Sequence, residues 1–255
     1  MIEYRAENGI ARIRLNRPEK RNAINEELLA ALKESLSVAA ADASVRLILI
    51  SGAGKDFCAG LDISAMANAA RTDVTESIAG ARRLAELFVG MRRNPRPIIA
   101  AVHGRALGGG CGIATACDVV LAAESAQFGY PEIRLGFVPA IVAALVRHTV
   151  PQKRMMELAL TGEPIRARQA LDIGMINRVF PDEAFEAEVG RYVSALAAKS
   201  GSAMSMTKRL LYETEGISLE AAIEAGVQAN AAARMTPDFR EGIERFVTRN
   251  EPQKS

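Results

Sequence analysis

Through the first two thirds of the chain, short apolar runs alternate with longer stretches whose apolar residues recur at helical spacing. Gly9 to Leu15 alternates apolar residues with Arg12 and Arg14, the period-two pattern of a strand with one wet face. Val45 to Ile50 is a compact, β-branched strand, and Pro97 to Val102 reads as a buried one. Between the first two of these strands Asn25 stands as the N-cap of a helix from Glu26 to about Ala41, with acids in its first turn. A long helix is expected from about Val74 to Arg93. Cys117 to Ala122 is another strand, and Gln127 to Glu132 a loop. Pro139 to Val150 is an almost entirely apolar helix, and Met155 to Leu160 is helical in character. Arg166 to Gly174 reads as a short helix closed by glycine, and Ile176 to Phe180 as a strand ended by Pro181. From Asp182 onward the pattern is helical, with breaks at Gly201, Gly216 and Pro237. Strands alternating with helices, then a helical tail, predict an α/β fold. The tail's stripes at Ala203 to Tyr212 and Leu219 to Ala233 suit a core or a neighbouring subunit.

One stretch carries unusual chemistry. The buried strand leads through His103 into Gly108-Gly109-Gly110 and on to Asp118, with three glycines where a helix should start. Glycine there costs helix stability but leaves the backbone N–H groups open to close approach. Those N–H groups lack helical partners and lie at the positive end of the helix dipole, so they suit an anion or an oxygen that becomes one. The same glycines would also suit close packing of a helix on a sheet. The dinucleotide pattern fails because Ile113 stands where its third glycine belongs, and Gly54-Lys55-Asp56 fails the phosphate-loop pattern.

The 255 residues allow one large domain or two small ones. A hydrophobic fraction of 49% and a charged fraction of 24% fit an ordinary globular protein. The net charge of +2 is interspersed, which gives no support for nucleic acid or a membrane surface as partner. Three cysteines argue against a disulfide framework and for a reducing compartment. Cys111 and Cys117 read as buried hydrophobes, whereas Cys58 has the better claim to exposure. With no apolar leader in Met1 to Arg5 and no run of membrane-spanning length, a cytoplasmic location is expected. Of the two histidines, His103 reads as a satisfied structural residue beside the glycine loop and His148 as a packing residue. No metal site and no cofactor are expected.

Three elements in order, Phe57-Cys58-Ala59-Gly60-Leu61-Asp62-Ile63, Gly104 through Gly112, and Tyr130-Pro131-Glu132-Ile133-Arg134-Leu135-Gly136, strongly resemble the crotonase superfamily, the enoyl-CoA hydratases and isomerases. The likeness extends to Asn16-Arg17-Pro18, Leu160 to Ile165 and Arg240 to Ile243, and so covers essentially the whole chain. It implies the crotonase fold, a spiral of β-β-α units over residues 1–194, with a C-terminal helical region, 195–255, that assembles trimers or hexamers. It implies an acyl-CoA thioester as substrate, with coenzyme A entering only as part of it. The backbone N–H groups of Leu61 and Gly109 match the two oxyanion-hole donors, each of the kind whose loss costs about 3 kcal/mol of barrier lowering. Arg21, Ala23, Ala59, Asp62 and Gly108 match the coenzyme A and substrate contacts, Ala59 and Asp62 at the adenine end of the CoA pocket. The Lys20-Arg21 pair would face phosphates, although a solvated loop explains it equally well. Phe246 and Arg249 would close the site from the tail, across a subunit interface.

The family's well-studied hydratases carry two glutamates. The second is Glu132 here; the first position is Gly112. One carboxylate suffices for isomerisation, taking a proton at C2 and returning it at C4. Hydration needs an oriented water and a proton for C2. The run Leu135 to Val142 nevertheless resembles the family's branched-chain hydratases, so the expected activity is hydration of a 2,3-enoyl-CoA, with Tyr130 as an aid in holding water. The alternatives are a Δ3,Δ2-enoyl-CoA isomerase and, in another class, a non-catalytic protein that binds CoA esters. The last has no need of Glu132.

Overall fold

The computed structural model describes residues 1–64, 73–147 and 149–250, with only the backbone of the last two. His148 lies outside the described residues. In chain order the elements are β1 (Ile2–Glu7), β2 (Ile10–Leu15), α1 (Glu26–Ala41), β3 (Leu47–Gly52), α2 (Val74–Arg93), β4 (Ile98–Val102), β5 (Arg105–Leu107), α3 (Gly109–Ala116), β6 (Val119–Ala123) and β7 (Gln127–Gly129). There follow α4 (Ala140–Val146), α5 (Gln152–Thr161), β8 (Ile165–Arg166), α6 (Ala167–Asp172), β9 (Arg178–Phe180), α7 (Phe185–Ala197), α8 (Gly201–Glu213), α9 (Leu219–Arg234) and α10 (Pro237–Asn250).

Six strands form the main sheet in the order β1-β2-β3-β4-β6-β9, parallel except for the β1–β2 hairpin. A second sheet, β5-β7-β8, stands beside it. The chain passes from β4 to β5 and from β6 to β7, so each turn lays one strand in each sheet. This is the spiral of the crotonase fold. Parallel strands need both faces covered, and β4 accordingly is buried at every residue. One face packs on α1, α2 and α3 through residues such as Leu28, Leu32, Leu87, Phe88 and Ile113. The other packs on α7 through Phe185, Val189, Val193 and Ala197. Since α7 stays on the sheet as far as Ala197, the helices that leave the sheet begin with α8.

Local capping explains why α1 and α2 run where the sequence puts them. Asn25 accepts from the Leu28 N–H, and Asp73 from the Glu76 N–H. The charged and the very short strands carry no readable pattern. β1 is charged and mostly exposed, and β7, at three residues, is too short to show a period in what reads as a loop. The expected helix from Pro139 to Val150 ends early, as α4 at Val146. Among the described residues, no helix is long and apolar enough to cross a membrane.

α8 is tied to the core by a buried polar anchor. Lys208 donates to Met91 O and Arg96 O and pairs with Asp118 at 2.8 Å, while the Tyr212 hydroxyl donates to the same carboxylate. Beyond it, α9 exposes Leu219, Ile223 and Val227, and α10 exposes Ile243, Phe246 and Val247.

Candidate active site

The glycine loop joins β5 to α3. Gly108 is the N-cap of α3 with φ +50°, a left-handed conformation that glycine adopts without a Cβ penalty. Its N–H donates to Gly129 O at 2.8 Å, which pins the loop to β7. A Cβ at Gly108 would lie 3.0 Å from Glu132 Oε1, so a bare backbone is also what lets the carboxylate come this close. Gly109 is the first helical residue, and its N–H has no partner within α3.

The second arm is the segment from Phe57 to Asp62. It pairs in parallel with two neighbours, at Ile24↔Leu61 and Cys58↔Ala106. In the first pairing the Ile24 N–H donates to Gly60 O and the Asp62 N–H donates to Ile24 O. Leu61 itself spends neither polar group on Ile24, so its N–H faces the opposite side. A Cβ built on Gly60 would lie 3.7 Å from the Gly109 nitrogen, which brings the two arms together. The two expected oxyanion donors therefore sit on adjacent backbone segments.

The loop from Arg17 to Ile24 is wound around Asn22. Asn22 is fully buried; its amide donates to Ala53 O, Asp56 O and Phe57 O, and its carbonyl accepts from the Arg17 N–H. Arg21 and Asn22 take φ of +53° and +56° in succession, a strained arrangement for non-glycine residues that these bonds hold in place. The Ala59 N–H donates to Arg21 O, which aligns Arg21, Ala23, Ala59 and Asp62 along one paired ribbon. The Arg21 side chain is 58% exposed, 3.9 Å from Asp56, and Lys20 is exposed beside it. The Asp62 carboxylate accepts from Arg17 Nη1 at 2.6 Å and from the Ser64 N–H. The Arg17 hydrogen bond, ahead of other causes, holds its carboxyl below the usual range.

Glu132 lies on a 3-10 turn, Pro131–Leu135, and is half-buried. Its Oε2 is buried without a hydrogen-bond partner among the described residues. Burial, the larger cause, pushes the carboxyl above its ordinary value against the opposing pull of its own backbone N–H. Tyr130 is entirely buried beside Cys111 and Thr115, and burial raises its phenol well above the ordinary value.

The position of the family's other glutamate is closed. A Cβ at Gly112 would lie 2.5 Å from Val142 Cγ1 and 2.7 Å from Phe88 Cζ, both from buried side chains. No local pattern announces that packing, because Phe88 comes from α2 and Val142 from α4. Arg17 was visible in sequence only through the Asn16-Arg17-Pro18 likeness, and Asn22 carried no signal of its own. Cys58 corrects the expectation of exposure. It is fully buried, its thiol donates to Asn22 O, and burial pushes it up to about 12. His103 has its Nε2 at 2.9 Å from Gly54 O and its ring tilted on Phe185. Phe246 sits on α10, which packs on α8 and α9, and the Arg249 side chain lies outside what is described.

The chain as a whole has relatives of known family. The enoyl-CoA hydratase/isomerase family model matches residues 5–254. A 2,3-dehydroadipyl-CoA hydratase of Escherichia coli is 35% identical over 240 residues, covering 93% of this chain and 92% of its own. A crotonyl-CoA hydratase of Syntrophomonas wolfei is 32% identical over 243 residues, covering 94% and 92%. The crystal structure of an enoyl-CoA hydratase from Mycobacterium smegmatis superposes with a TM-score of 0.93 at 32% identity, over 99% of this chain and 98% of that one. With its spiral of paired sheets, its glycine helix and its relatives along nearly the full length, the chain belongs to the enoyl-CoA hydratase/isomerase family of enzymes.

Proposed function

We propose that this enzyme adds water across the 2,3-double bond of an enoyl-CoA thioester, with Glu132 as its single acid–base group. The observation that carries the reading is the Glu132 carboxyl, half-buried, one oxygen against Gly108 and the other unpartnered, beside the free end of the glycine helix. Relatives at about a third identity that are named for hydration support it.

The thioester oxygen accepts hydrogen bonds from the Leu61 and Gly109 N–H groups. The Glu132 carboxylate takes a proton from water as the water oxygen bonds to C3. The π electrons move to the thioester oxygen, and the two N–H groups hold the resulting enolate. The protonated Glu132 then gives its proton to C2, and the carboxylate is restored. Arg21, Ala23, Ala59 and Gly108 line the coenzyme A arm, with Phe246 and Arg249 supplied by a neighbouring subunit. The apolar faces of α9 and α10 are the surface through which a trimer or hexamer forms; light scattering on the purified protein reads the mass, and a monomer at micromolar concentration refutes the assembly.

A second reading, Δ3,Δ2-enoyl-CoA isomerisation, is favoured by one observation: Val142 and Phe88 leave no room for a second carboxylate at Gly112. Incubation with crotonyl-CoA and then with a 3-enoyl-CoA, with product identification, separates the two. Hydration predicts loss of enoyl absorbance and a 3-hydroxyacyl product. Conversion of the 3-enoyl ester alone selects the isomerase, and no turnover of either selects a binding protein.

A further inference from the structure

We infer that Asp62 and Arg17 form a positioning pair that fixes the Leu61 N–H in the oxyanion hole, and that the Asp62 carboxylate is not a contact for the adenosine end of coenzyme A. The inference rests on the hydratase reading above. Both Asp62 oxygens are already engaged, Oδ2 by Arg17 Nη1 at 2.6 Å and Oδ1 by the Ser64 N–H at 2.9 Å. The pair is nearly enclosed, with side chains 16% exposed for Arg17 and 11% for Asp62. Arg17 Nη1 also donates to Ala23 O at 3.1 Å, so one guanidinium nitrogen ties the 17–24 loop to the segment carrying Leu61.

That tie bears on one peptide plane. The Leu61 N–H and the Gly60 C=O belong to the same planar unit and point in opposite directions. Gly60 O accepts from the Ile24 N–H at 2.8 Å, and the next N–H, that of Asp62, donates to Ile24 O at 2.9 Å. As long as Ile24 stays seated on this segment, the Leu61 N–H is aimed away from it, into the site. Gly60 has φ +102° and no side chain of its own to resist rotation of that plane. The restraint comes instead from the ion pair, which clamps Ala23 and Asp62, the neighbours on either strand of the Ile24 pairing.

Asp62→Asn keeps the shape and the Ser64 contact but loses the charge. A positioning role predicts that kcat falls about tenfold or more, short of the 10²–10³-fold loss of a whole donor. The fall should be the same with an enoyl-CoA and with the matching enoyl-pantetheine ester, which lacks the adenosine end, and KM should stay within about twofold for both. Arg17→Lys, which keeps the charge but loses the rigid planar group that places Nη1 between Ala23 O and Asp62, should move kcat in the same direction. Amide hydrogen exchange reads the arrangement without turnover: the Ile24 and Asp62 N–H groups should exchange faster in Asp62→Asn. The inference is overturned if Asp62→Asn raises KM for the CoA ester alone and leaves the pantetheine ester untouched. It is equally overturned if both variants keep the parent's kcat and amide protection. Turnover of the two esters by the parent is the separate check on the hydratase reading.

Discussion

Asp62 and Glu132 are two carboxylates flanking the backbone N–H groups proposed as the oxyanion donors, and their surroundings drive them apart. Asp62 follows Leu61, is paired with Arg17 and is held below the usual carboxylate range. Glu132 packs on Gly108 with one oxygen unpartnered, and burial raises it. A carboxyl whose charge is satisfied is a fixed piece of the scaffold. One that carries its charge at a cost holds a proton to higher pH than an ordinary carboxyl does and is the better base once it is ionised. The assignment of roles therefore follows from neighbours and not from residue type.

The strongest way to break the contrast is to remove the carboxylate proposed as the acid–base group. Glu132→Gln preserves size and should retain the fold and CoA binding while turnover drops by about two to four orders of magnitude, seen in kcat more than in KM. Parent-like turnover of crotonyl-CoA by this variant would move the acid–base role away from Glu132. Next in size is an attempt to add a second carboxylate. Gly112→Glu should lower the melting temperature and give no gain in hydration, because Val142 and Phe88 occupy the space; overpacking of this kind costs about 1–3 kcal/mol or more. A faster hydratase with an intact melting curve would mean that the wall yields.

Smaller effects sharpen the contrast through pH. The acidic limb of kcat/KM should titrate above 4.5, the ordinary value for Glu132, since the free enzyme needs its carboxylate form. Stability should respond with opposite signs at the two sites. The raised carboxyl of Glu132 favours the folded state while protonated, and that benefit is lost as pH rises through its folded value. Glu132→Gln should therefore melt higher than the parent at neutral pH, with the gain fading in acid. The lowered carboxyl of Asp62 contributes above its unfolded value and loses that contribution as pH falls through the folded one. Asp62→Asn should melt lower at neutral pH, with the deficit fading in acid. Thermal melts of both variants at several pH values check this, and shifts of the same sign would dissolve the comparison.

The sequence by itself determined what short-range chemistry controls. The caps at Asn25 and Asp73 set where α1 and α2 begin, the apolar run into β4 and the glycines marked a helix start with an open backbone, and the motif around Glu132 singled out the candidate acid–base carboxylate. The tertiary structure alone decided the rest. It paired Arg17 with Asp62 across 45 residues of chain, wound a polar loop around the buried Asn22, covered Cys58, made a strand of charged β1, and filled the space above Gly112 with side chains from two other helices. Each of these depends on which distant atoms share a neighbourhood. A local pattern records what a residue can do, and only packing records what stands beside it.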